Sequence, residues 1–167
     1  MTDQVDRLLA AWRRERPDLD VEPLGVLSRV ARLARHLELA RREAFGQLGL
    51  ARWQFDVLAA LRRSGPPYEL TPGELMAETL VSSGTMTHRI DQMEAAGLVE
   101  RHAHPADRRV VRVRLTAKGN REVDAALDNL LARERTLLAR LSGQEQARLA
   151  ALLRALLEPL DDEAPAD

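Results

Sequence analysis

The chain contains no cysteine, which excludes disulfides, thiolate metal sites and a cysteine nucleophile, and says little about compartment. Aromatic residues make up only 3% of it, although hydrophobic residues make up 45%. Its core must therefore be built mainly from Leu, Ala and Val, a composition that favours helix over sheet. No apolar run approaches the ~20 residues of a membrane span, and Met1-Thr2-Asp3-Gln4 does not open a signal peptide. The expectation is a soluble, cytoplasmic protein with no membrane partner. Neither charge is in excess: 25 Lys and Arg stand against 26 Asp and Glu. A length of 167 residues is enough for one domain with a substantial core.

The densest signal lies between Leu70 and Gly119. Thr71 at an N-cap, Pro72 at the first helical position and Glu74 three residues after the cap form a complete helix start. Leu80-Val81-Ser82-Ser83 then reads as a tight turn into a second helix. Met86, Ile90 and Met93 form its apolar side at i, i+4, i+7, and Gly97 stops it. Val99 to His102 and Val110 to Leu115 alternate as two strands about the turn His104-Pro105-Ala106-Asp107. The pattern is a helix-turn-helix with a wing, an architecture that lays one helix in the DNA major groove.

Charge distribution supports this more than net charge does. Arg101, Arg108, Arg109, Arg112, Arg114, Lys118 and Arg121 are opposed in their own stretch only by Asp107. Such a local concentration can supply phosphate contacts from a nearly neutral molecule. The competing explanation is a solvated strand pair whose arginines keep an edge soluble.

Helical segments frame the wing. They run from Asp3 to Arg16, from about Glu22 to Gln47 with Pro23 in the first turn, and from Arg52 to Arg63. After the wing, Thr116 caps a helix to about Leu141, and Ser142 with Glu145 opens a last one to about Glu158. The fold class is mainly α with a small β-wing. Residues 51–115 form the winged helix-turn-helix lobe, 1–50 and 116–160 serve as dimerisation helices, and 161–167 are a polar tail. The last two helices repeat leucine at helical spacing (Leu127, Leu130, Leu131, Leu137, Leu138, Leu141, then Leu149, Leu152, Leu153, Leu156, Leu157, Leu160). A helical homodimer interface would absorb that surplus, and a two-fold dimer reads two DNA half-sites; an ordinary intramolecular core is the alternative.

Catalysis finds no support. The chain offers no nucleophile–base pair and no metal set, so it reads as a non-enzyme. His102 and His104 share one strand face but lack a good third ligand, so no metal is expected. Leu48-Gly49-Leu50 is a helix end rather than a phosphate loop. A winged helix used only for protein–protein contact is the rival, and the wing arginines argue against it.

The run Asp107-x-Arg109-x-x-x-Val113-x-Leu115-Thr116-x-x-Gly119 after Gly97-Leu98-Val99 resembles the multiple-antibiotic-resistance regulator (MarR) family of transcription factors. The resemblance spans nearly the whole chain in helix order. It implies a triangular homodimer with interleaved terminal helices, one winged helix per lobe on a pseudo-palindromic double-stranded operator, and a small-molecule effector that weakens DNA binding, with no further cofactor. By the same pattern Ser83, Thr85, Thr87 and His88 face the major groove, and Ser82 either caps the helix or joins them. Arg109 would enter the minor groove with Asp107 orienting it, and Arg108 would meet phosphate.

Trp12-Arg13-Arg14-Glu15-Arg16-Pro17-Asp18-Leu19-Asp20 and Phe55-Asp56-Val57-Leu58 are similar to the urate-responsive branch, whose ligand residues would fall on Trp12, Asp56, Arg89 and Arg101. An indole face, guanidinium donors and a carboxylate suit a planar anionic heterocycle such as urate or a related purine. A phenolic or carboxylate metabolite is the alternative effector. Asp56 sits among Trp53, Phe55, Val57 and Leu58, where a carboxylate is costly without a cation or donor. The competing explanation is a structural salt bridge between Asp56 and one arginine. Arg89 lies about 100° around its helix from His88, so it points towards the protein body if His88 faces DNA.

Overall fold

The computed structural model describes residues 2–103 and 109–162. In chain order its elements are α1 (Gln4–Glu15), α2 (Glu22–Gly46), α3 (Arg52–Arg63), β1 (Glu69–Leu70), α4 (Pro72–Thr79), α5 (Ser83–Ala95), β2 (Val99–Ala103), β3 (Val111–Leu115), α6 (Ala117–Leu138) and α7 (Gly143–Asp162). The protein is mainly helical with a small antiparallel sheet. None of the helices is long and apolar enough, among the described residues, to cross a membrane. Two compact units divide after Leu130.

The first unit holds the winged helix-turn-helix. Thr71 and Glu74 exchange both bonds of the expected capping box at the start of α4. Leu80 then takes a left-handed backbone (φ 51°, ψ 49°) that ends α4 and turns the chain into α5. On α5 the expected stripe of Met86, Ile90 and Met93 is fully buried. It packs in one core with Phe45, Leu58, Leu61, Leu75, Val99, Val113, Leu115 and Val123. A smaller cluster of Val5, Leu9 and Val21 joins α1 to the start of α2.

The sheet differs from expectation. The alternation predicts two strands, and among the described residues three form, in the order β1-β3-β2. The extra strand is two residues long, too short for any alternation to register. It pairs Glu69 with Arg114 and Leu70 with Val113, while β2 pairs Arg101 with Val113 and His102 with Arg112. β3 begins at Val111 rather than Val110. The expected turn His104–Asp107, and Arg108 after it, lie outside the described residues.

The junction between α5, the sheet and α6 is closely packed around Gly119. Gly97 takes φ +69° to end α5, and the chain continues directly into β2. Thr116 Oγ1 donates to the Gly97 carbonyl at 2.7 Å and accepts from the Gly119 amide at 3.0 Å. Lys118 Nζ reaches the Ala96 carbonyl at 2.9 Å, placing a cation at the C-terminal end of α5 where the helix dipole favours it. Gly119 is required by close approach: a Cβ there would stand 2.1 Å from the Leu98 carbonyl oxygen.

The second unit contains the end of α6 and all of α7. Ser142 and Glu145 form the expected capping box at the start of α7, which runs four residues beyond the predicted end and through Pro159. Leu152, Leu156, Leu157 and Leu160 on α7 are each more than half exposed.

Gly119→Ala must push the α6 start away from backbone, which cannot yield as a flexible side chain would. We expect a loss of about 1–3 kcal/mol, read as a lower urea midpoint at unchanged slope. A midpoint equal to wild type would show that the junction can relax.

Candidate nucleic-acid interface and ligand site

Helix α5 buries one face and presents the other. Ser83, Thr85, Thr87 and His88 are all exposed, as expected of a surface offered to DNA. Their hydroxyls are not equivalent. Thr87 Oγ1 donates back to the Ser83 carbonyl at 3.0 Å. Ser82 occupies the N-cap position but makes no capping bond with its side chain; its hydroxyl is 3.1 Å from that of Thr85. His88 Nε2 is 2.9 Å from the Gln92 amide nitrogen. Gln92 thereby joins the outer face, a residue the sequence pattern did not single out, although its i+4 spacing from His88 was a usable signal.

Much of the basic run is engaged within the protein. Arg114 donates to Glu69 at 2.7 and 2.9 Å, and His102 Nε2 stands 2.9 Å from the same carboxylate. Arg112 reaches Glu74 at 3.5 Å, and Lys118 lies 3.8 Å from Glu122. The expected pool of phosphate-binding cations is therefore smaller than the sequence count implies, because the fold brings Glu74 and Glu69, 38 and 45 positions from Arg112 and Arg114, onto the same surface. Arg109, at the near end of β3, is exposed.

The ligand candidates do not converge. Trp12 is 46% exposed and lines a depression with Leu19, Asp20, Val21, Pro23 and Leu24. Asp56 is half exposed, contrary to the expectation of an apolar setting, and lies 3.9 Å from Arg52 one turn away. The apolar neighbours Val57 and Leu58 turn to the opposite side of α3 and into the core. Asp56 instead lines a groove of about 200 Å³ with Phe55, Ala59, Arg63, Glu78, Thr79 and Leu80, crossed by an Arg63–Glu78 pair at 3.0 Å.

Arg89 does turn towards the body: its guanidinium stacks 5.4 Å from the ring centre of Trp53 on α3. Trp53 is thus both part of the packing and a platform for a recognition-helix arginine, one turn before Asp56. Arg101, on β2, lies against the other edge of α5. Its guanidinium binds Asp91 and Glu94, the latter at 2.6 Å, and its backbone amide donates to Glu94 at 3.0 Å. Burial opposes the charge on Arg101, but the bonds to Asp91 and Glu94 prevail and hold it firmly cationic. At about 100° per residue, Asp91 and Glu94 lie roughly 140–160° around the helix from Arg89. Among the described residues no cluster of three or more His, Asp or Glu could hold a metal.

A buried-stripe helix with an exposed polar face, braced by a three-stranded wing sheet, defines a winged helix-turn-helix DNA-binding protein. Residues 48–110 match the sequence profile of the MarR family. The chain is 35% identical over 150 residues to the HTH-type transcriptional regulator PecS of Dickeya dadantii, covering 90% of each chain. It is 29% identical to the HTH-type transcriptional repressor NicR of Pseudomonas putida, over 84% of this chain and 89% of that one. A structure of a MarR variant from E. coli complexed with operator DNA superposes with a TM-score of 0.66 at 26% identity, covering 83% of this chain and 99% of that one. The chain belongs to the MarR family of transcriptional regulators.

Hydrogen bonds from Arg114 hold the Glu69 carboxyl below its ordinary value of 4.5 against the opposing effect of burial. A depressed carboxylate stabilises the fold above its unfolded value and loses that contribution as pH falls through the folded one. Glu69→Gln should therefore lower the urea midpoint at neutral pH, with the gap to wild type closing as pH falls below 4.5. A gap independent of pH would assign the loss to something other than this carboxylate.

Proposed function

We propose that the protein is a ligand-responsive repressor that binds a pseudo-palindromic operator as a homodimer and is released by a small planar anion such as urate. The observation that carries the DNA part is α5 itself: Met86, Ile90 and Met93 anchor it while Ser83, Thr85, His88 and Gln92 stay outside. Ser82 and Thr87 flank that face, Arg109 extends it towards the minor groove, and Asp107 and Arg108 keep the orienting and phosphate-contacting roles the resemblance gives them. The relatives named as a regulator and a repressor, and the relative seen on operator DNA, support the same assignment.

Dimerisation is supported by apolar surface on the terminal helices. Leu8, Trp12, Val26, Leu27 and Val30 near the N-terminus, and Leu152, Leu156, Leu157 and Leu160 near the C-terminus, are all substantially exposed. Covering such residues is favourable at about 25 cal/mol per Å² of apolar area, and a second copy brings the same helices to the contact.

For the effector, Arg89 is the informative residue. It belongs to the DNA-reading helix yet rests on an indole, an interaction that a flat anionic ligand can replace. Asp56, one turn along α3, would accept from ligand N–H groups. Trp12 and Arg101 complete the set only if the liganded state draws them in. The separation of these four residues favours, as a second reading, a phenolic or carboxylate metabolite seated in the Asp56–Arg63 groove.

A gel-shift titration on the gene's own upstream DNA tests these assignments. Urate should release preformed complex at concentrations where salicylate does not, and Arg89→Ala should bind DNA but resist release. Release by salicylate alone would favour the groove, and an unchanged urate response in Arg89→Ala would discard the Arg89 mechanism. Arg109→Ala should weaken operator binding by about tenfold and lower the salt slope by about one, with an unchanged melting temperature. A wild-type binding curve would remove Arg109 from the interface.

A further inference from the structure

We propose that Arg101 is a charge clamp on the recognition helix: by holding Asp91 and Glu94 it neutralises an acidic edge that would otherwise repel DNA, and it ties α5 to strand β2. The inference rests on the reading that α5 enters DNA, and deepens it.

Helix α5 is an unusual candidate for a phosphate-lined groove, because its charged residues are Arg89, Asp91 and Glu94. Arg89 is turned away onto Trp53. Asp91 follows His88 by three residues and borders the outer face, with 57% of its side chain exposed; Glu94 is 40% exposed. Asp91 lies about 60° and Glu94 about 120° around the helix from His88, so Asp91 borders the surface offered to DNA while Glu94 sits beyond it at the last turn of α5. An exposed carboxylate so placed is within the range where like charges repel DNA with little screening. Arg101 is the cation bound to both, and its own side chain is only 28% exposed. It is therefore committed to the helix rather than offered to phosphate. Glu94 accepts from both the guanidinium and the backbone amide of Arg101, so one acid fixes the spacing of helix and strand as well.

Charge and geometry thus act through the same contact. Withdrawing Arg101, by substitution or by an effector that captures its guanidinium, bares both carboxylates at the DNA surface and frees α5 from β2. An effector need not push the helix far, since the uncovered charge already opposes binding.

The test is a charge cycle read by fluorescence anisotropy on the upstream DNA, with thermal melts as a check on folding. Arg101→Met should weaken binding by about tenfold or more, and adding Asp91→Asn and Glu94→Gln to it should restore affinity to within about threefold of wild type. Asp91→Asn/Glu94→Gln alone, with Arg101 kept, should bind more tightly than wild type. This second comparison decides the matter if Arg101→Met does not fold. A triple variant as weak as Arg101→Met would leave only the tie of α5 to β2 and overturn the charge role, as would a double variant without tighter binding; an Arg101→Met variant that binds like wild type would overturn both. Absence of wild-type binding would instead overturn the DNA reading on which it stands. Urate response of wild type, scored separately, tests the effector and leaves the clamp untouched.

Discussion

The contact of Gly119 with the Leu98 carbonyl governs how the reading head is assembled. Leu98 lies between the end of the recognition helix at Ala95 and the start of β2 at Val99, and its carbonyl receives the first turn of α6. No side chain fits between: a Cβ at residue 119 would overlap the carbonyl oxygen at 2.1 Å. Thr116 closes the same point from the other side, donating its hydroxyl to Gly97 and accepting from Gly119. Because α6 leads towards the C-terminal helices, a displacement at its start is passed to the end of α5 through backbone rather than through compliant side chains. Packed contacts of this kind transmit small shifts with little loss.

Around that fixed point α5 is steadied at its two edges by arginines held within the protein. Arg89 leans on the Trp53 ring of α3, and Arg101 holds Asp91 and Glu94 from β2. These are not equivalent restraints. A cation over an indole contributes about 0.5–1 kcal/mol at an exposed site, whereas a guanidinium shared by two carboxylates makes several charge-assisted bonds at once. The Arg89 edge is accordingly the softer one, and the one from which the helix can be moved at small cost. This explains how a chain of net charge −1 can carry a DNA-reading helix: what matters is which charges remain after internal pairing, not the total.

Most of the fold was legible because its signals are local. Thr71-x-x-Glu74, Ser142-x-x-Glu145, Gly97 and the Met86-Ile90-Met93 stripe each specify structure within four to seven residues, and the helices start where such patterns place them. The candidate site was legible only in part. Exposure of Ser83, Thr85 and His88 follows from the same stripe that buries Met86. The partners of Arg101, Arg112 and Arg114 do not follow, because Glu94, Glu74 and Glu69 reach them only through strand pairing and helix packing. Strand β1 was missed for the same reason: two residues carry no period, and their pairing is decided by β3. The exposure of Asp56 is not legible either, because its apolar sequence neighbours face inwards while it faces out, a distinction that adjacency in a helix hides.

Sharing Arg101 between an internal clamp and an effector has a thermodynamic consequence. If the effector needs the guanidinium, it must first replace the bonds to Asp91 and Glu94, so its apparent affinity is lowered by the strength of that clamp. That cost falls on free and DNA-bound protein alike, so it does not set the coupling, which can be no larger than the difference in effector affinity between the two states. Under the proposed clamp that difference comes from the carboxylates bared towards DNA. Strengthening the clamp would raise the effector concentration required without enlarging release, whereas neutralising the acids would shrink the coupling and leave the effector site intact. Arg89, held by a softer contact, adds little to that cost.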